Sequence, residues 1–114
     1  MIGEAALRWW PGPAPVMLGQ LDRLTTIAAL PNATLGVLRF GEVPVWHTHH
    51  FTLYDDRQGG PLVHVERLMG GTNMRDPEDV ARYTEAFKQL LEAAATGTDV
   101  LALLVRIAEE IRGA

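Results

Sequence analysis

The chain lacks cysteine altogether, and it also lacks serine. Without cysteine there is no disulfide scaffold, no thiolate zinc knuckle, no iron–sulfur cluster and no cysteine nucleophile. Without serine there is no serine nucleophile of the triad kind. Chemistry, if there is any, is confined to histidines and carboxylates. Basic charge is also scarce: 10 Lys and Arg stand against 14 Asp and Glu, for a net charge of −4, and no stretch clusters the cations. The electrostatic footprint of a phosphate-backbone binder is missing, so direct contact with nucleic acid is not expected. No apolar run approaches the ~18 residues of a membrane span, and no basic segment followed by an apolar one opens the chain. These absences predict a cytoplasmic chain with no membrane partner.

What is present is one domain's worth of sequence: 114 residues, 47% hydrophobic. A chain of this size buries roughly two-thirds of its unfolded surface, which suffices for one core. We expect a single domain over residues 1–114. Asp76-Pro77-Glu78-Asp79 opens the clearest helix: a capping carboxylate, proline at the first helical position, and acids facing the macrodipole. It runs to about Ala95 with Val80, Tyr83, Phe87, Leu90, Leu91 and Ala94 on one face. Gly97 is a plausible left-handed stop, Thr98-Asp99 a new cap, and an apolar helix of about Val100–Ile111 follows. Its breadth fits a core helix or one that docks on a partner. A further helix of about Val16–Leu30 carries Met17, Leu21, Leu24, Ile27 and Ala28 on one face.

Three runs have strand character: Thr34–Phe40, Phe51–Asp55 and Leu62–Leu68. Asp55–Gly60 reads as a hairpin loop, Gly70-Gly71-Thr72-Asn73 as a turn into the helix, and Glu4–Trp9 as a short segment compatible with an added strand. The expected class is therefore α+β, an antiparallel sheet of three or four strands with helices packed on it, in the order (β)αβββαα.

Several colinear stretches carry a resemblance: Glu4-Ala5-Ala6-Leu7-Arg8, Gln20-Leu21-Asp22-Arg23-Leu24, Leu30-Pro31-Asn32-Ala33-Thr34, Val37-Leu38-Arg39-Phe40-Gly41, Val63-His64-Val65-Glu66, and Gly70-Gly71 followed by Asp76–Tyr83. In this order they resemble the domain of unknown function numbered 5753, the C-terminal domain of actinobacterial antitoxin-like transcriptional regulators. The resemblance implies a regulator's sensing or partner-binding half, associated with a small companion protein, and it supplies no catalytic residues. Members usually carry a helix-turn-helix head that binds DNA, and on that comparison the head is expected to be missing here.

The chain departs from the family pattern in two places. Pro44-Val45-Trp46-His47-Thr48-His49-His50 stands where relatives are small and glycine-rich, and Trp9-Trp10 stands where polar or basic residues are expected. In an extended segment His47 and His49 project to one side, a spacing that suits one divalent metal, with His64, Glu66 or Asp55 as the third ligand. Without metal, His47, His49 and His50 are candidates for acid–base catalysis in an isomerase, dehydratase or cyclase. Trp9, Trp10 and Trp46, with His64 and Glu66, would line an aromatic pocket for a small molecule. The plainer readings are solvated histidines, core-anchoring tryptophans, and Glu66 paired with Arg39 or Arg67. Two functions remain open. One is a cofactor-free binding module acting through a companion protein, a second copy of itself or a small effector; the other is a small enzyme.

Overall fold

The structure, a computed structural model, describes residues 1–42 and 50–113. In chain order its elements are β1 (Ile2–Gly3), α1 (Glu4–Arg8), α2 (Ala14–Ala28), β2 (Val37–Leu38), β3 (Phe51–Asp56), β4 (Gly60–Arg67), β5 (Gly70–Met74), α3 (Pro77–Ala93) and α4 (Gly97–Arg112). The class is α+β, as the sequence predicts, with one three-stranded antiparallel sheet in the order β3-β4-β5. The chain divides into two compact units: Met1–Val43 with Ala93–Ala114, and Pro44–Glu92.

The first unit is mainly helical. Leu21 and Leu24 of α2 and Val100, Leu103, Leu104, Ile107 and Ile111 of α4 are buried together with Leu7, Leu35 and Val37. The three-and-four spacing of these residues puts each set on one helix face, and burying those faces against each other stabilises both helices. α2 begins two residues earlier than its apolar pattern suggests, because Pro13 stands at its N-cap and Pro15 falls in its first turn, where a missing N–H costs nothing. Gly97 has the expected left-handed φ of +57°, but it opens α4 rather than ending α3.

Two expectations are corrected here. Glu4–Arg8 is a one-turn helix preceded by a two-residue strand, too short a helix for periodicity to reveal. The run Thr34–Phe40 contributes only Val37–Leu38, which pairs in parallel with Ile2–Gly3 instead of joining the antiparallel sheet. Val37 has a second partner: its N–H and C=O exchange hydrogen bonds of 2.9 Å with the C=O and N–H of Ala95.

The second unit is built on the sheet. β3 and β4 pair from Phe51 opposite Val65 to Asp56 opposite Gly60, so the connecting loop is only Arg57–Gly59 and both aspartates belong to the strand. β5 corrects a further expectation, since Gly70–Met74 is a strand and not a turn: it pairs with β4 from Val63 opposite Met74 to Arg67 opposite Gly70. Alternation along β4 buries Val63 and Val65 on one face and turns His64 and Glu66 to the other. Phe51 of β3 meets Tyr83 of α3 edge-on, with ring centroids 5.0 Å apart, so α3 lies against the sheet at that point. α3 starts where the Asp-Pro signal places it: the Asp76 carboxylate accepts the N–H of Glu78 at 2.9 Å.

Candidate functional site

Of the side chains that the sequence singles out, the structure describes Trp9, Trp10, His50, Asp55, His64 and Glu66. Trp46, His47 and His49 lie outside the described residues. Trp9 is 73% exposed at the end of α1, whereas Trp10 is half-buried and packs on the core of the first unit, the anchoring role. His50 is exposed, and its carbonyl accepts the N–H of Glu66 at 3.2 Å as the sheet ladder's continuation. Among the described residues no group of three or more His, Asp or Glu could hold a metal ion.

His64 and Glu66 do come together. They are two residues apart on β4 and therefore share a face, and the imidazole sits between two acceptors: Nε2 is 2.9 Å from a Glu66 carboxylate oxygen, and Nδ1 is 2.6 Å from the Asn73 side-chain oxygen on β5. The ring reaches both because residue 71 is glycine. A Cβ there would come within 2.4 Å of the His64 ring, a separation that atoms cannot adopt. The expected pairing of Glu66 with Arg39 or Arg67 is thus replaced by His64, while Arg39 pairs with Glu42 in the other unit.

Two acceptors around one imidazole favour the form with two N–H donors. The Asn73 hydrogen bond first, and the Glu66 hydrogen bond and charge next, raise the His64 pKa above its ordinary value of 6.5. When the ring is neutral Glu66 still requires the proton on Nε2, and the Asn73 amide must turn its NH2 toward Nδ1. An NMR titration of the ring protons is expected to show His64 above 6.5 in the native chain. Gly71→Ala should displace the ring from both partners and return its titration toward that value.

At the two ends of the same sheet lie two features that sequence reasoning missed. At one end the β4–β5 hairpin turns through Leu68 and Met69, which are 100% and 94% exposed. Gly70, with φ +113°, takes the conformation that closes so short a turn. Turn positions usually carry Gly, Asn or Asp, so two wholly solvated apolar side chains are out of place there. The strand character of the sequence continues through Leu68, whereas β4 ends at Arg67 and Leu68 begins the turn. At the other end an open cavity of about 480 Å³ separates the start of β4 from the first turns of α3. Pro61, Pro77, Val80 and Ala81 line it, with Arg75 and Glu85 as its charged members. Arg75 is held by a 3.1 Å hydrogen bond to the Gly59 carbonyl.

A family model described as "Domain of unknown function (DUF5753)" matches residues 1–106. No curated protein matches the chain, and no solved structure matches it.

Proposed function

The chain belongs to the family of the domain of unknown function DUF5753, and we propose that within it the chain acts as a protein-binding module, the regulatory or antitoxin-like role that the resemblance implies. The observation that carries this reading is the apolar hairpin tip. Leaving Leu68 and Met69 in water forgoes the stabilisation their burial would give, roughly 1.5–3 kcal/mol for each side chain, and a partner's apolar pocket recovers it. The tip is presented by a hydrogen-bonded hairpin, so little ordering accompanies docking. Such a module needs no cofactor, acts in the cytoplasm, and leaves DNA contact to another protein; its acidic balance is consistent with that division of labour. No helix among the described residues is long and apolar enough to cross a membrane.

The experiment is site-specific photocrosslinking from position 68 in cells, with the captured protein then purified and titrated against the chain. Binding should weaken at least about tenfold in the double variant Leu68→Asp, Met69→Asp. Equal binding by that variant overturns the reading.

A second reading rests on a different observation, the His64 imidazole held against a carboxylate. In it a small enzyme uses His64 as an acid–base group, joined by His47, His49 and His50, with a divalent metal at His47 and His49 as the metal-dependent version. Metal analysis of the purified chain tests that version: less than stoichiometric zinc, manganese or iron rules it out.

A further inference from the structure

The hairpin tip and the cavity belong to one unit and yet cannot meet within it. β4 runs from Gly60 to Arg67, so the residues that border the cavity, Pro61 and Arg75, stand at the end of the sheet opposite to Leu68 and Met69. At about 3.3 Å per residue, some 20 Å of strand separates them.

Their chemistries match all the same. The tip offers two apolar side chains on a two-residue turn; the cavity offers apolar walls of Pro61, Pro77, Val80 and Ala81 and about 480 Å³ to receive them. Arg67, exposed immediately before the tip, has its complement in the Glu85 carboxylate that lines the cavity. Arg75, the cation among the described lining residues, is engaged by the carbonyl of Gly59, which also lines the cavity, and stands 4.0 Å from the Asp56 carboxylate.

We propose that the cavity of one copy receives the Leu68–Met69 tip of a second copy. The inference rests on the protein-binding reading above and names the partner. Because tip and cavity are different surfaces at opposite ends of the sheet, two copies meet either once, head to tail, or twice, with each tip in the other's cavity about a two-fold axis. The first arrangement extends beyond two copies and the second closes as a dimer. The contact is also small, in the class of transient interfaces below about 1,200 Å², so it is populated at high local concentration.

The test is sedimentation equilibrium of the full chain and of two variants between about 20 μM and 1 mM, a range suited to interfaces of this size. The first variant, Leu68→Asp with Met69→Asp, alters fully exposed side chains and leaves the fold intact. The second, Ala81→Arg, fills the cavity from an exposed helical position that accepts arginine readily. The native chain is expected to rise above the mass of a monomer as concentration increases, and each variant alone to remain monomeric. Mixed, the two variants should give a one-to-one dimer and nothing larger, because only one good tip and one good cavity meet. A native chain that stays monomeric, variants that associate as it does, or a mixture that stays monomeric each overturns the proposal. A monomeric native chain that still crosslinks from position 68 to another protein overturns self-association alone. Loss of both results removes the binding reading as well.

Discussion

Replacing Leu104 with alanine is expected to lower stability by about 2–5 kcal/mol, the range for deleting a buried leucine side chain. Leu104 is 1% exposed and sits in the middle of α4, within the cluster that α2, α4, Leu7, Leu35 and Val37 build together. The truncation removes apolar area from the core and leaves a void that neighbours from separate elements cannot close by one movement. Against a total stability of roughly 5–15 kcal/mol, that is a large share. The melting temperature should fall by more than about 10 °C, and urea denaturation should show a lower midpoint with an unchanged slope. Val105→Ala, one residue along and 56% exposed, is the control, expected to shift stability by no more than about 0.5 kcal/mol. Comparable losses in the two variants would contradict this assignment of the core.

The second large effect comes from a charge. Among the described residues Glu4 is the one buried polar or charged side chain, and both oxygens of its carboxylate are engaged. One oxygen accepts the guanidinium N–H of Arg8 at 2.7 Å and the other the backbone N–H of Phe40 at 3.2 Å, while Arg8 also reaches Glu110 on α4. One carboxylate thereby joins α1 to the chain after β2, and through Arg8 to the last helix. Glu4→Ala should cost about 2–3 kcal/mol, the scale of hydrogen bonds to charged groups. The loss stays below that of a fully buried broken pair because Arg8 is partly exposed and keeps Glu110. Glu4→Gln, which can still accept from Phe40, should lose less.

The pH dependence gives a sharper test. The Arg8 hydrogen bond chiefly, with the Phe40 N–H and the charges of Arg8 and Arg106, holds the Glu4 pKa below its ordinary value of 4.5 despite the opposing effect of burial. A depressed folded-state pKa means that the stabilisation is fully present above about 4.5 and is lost as pH falls through the lower, folded value. The stability gap between the native chain and Glu4→Gln should therefore be constant near neutrality and shrink in acid. A gap independent of pH down to unfolding would show that the ionised carboxylate is not its source.

The long helices and the β3–β4 pair are legible in the sequence because each carries its own signal: three-and-four spacing in α2, α3 and α4, and alternation in β4. What escapes is set by contacts distant along the chain. Gly70-Gly71-Thr72-Asn73 reads as a turn on composition, yet it forms most of β5, and Gly71 is required there because a histidine from β4 lies over it. Val37–Leu38 looks like part of a longer strand, but its partners are Ile2–Gly3 and Ala95, and no local pattern announces either. The pairing of His64 with Glu66 follows from period two along β4, and the sequence does place both on one face; Asn73, the third member, depends on β4–β5 register. The tip and the cavity escape for a related reason: the first depends on where the strand ends, the second on how a helix start and a strand start approach.

The pair of hydrogen bonds between Val37 and Ala95 has a wider consequence. They join the chain shortly before it leaves the first unit to the chain just after it returns, so the helical frame is closed at that point whatever lies between. The intervening segment is a cassette. The buried leucines and isoleucines of the frame come from its own segments, Met1–Val43 and Ala93–Ala114. Tip, cavity and the His64 cluster all ride on the cassette. The tip, the cavity and the His64 cluster thus fall in one contiguous stretch of sequence, and the buried side chains that pack the helical frame fall in the two stretches that flank it.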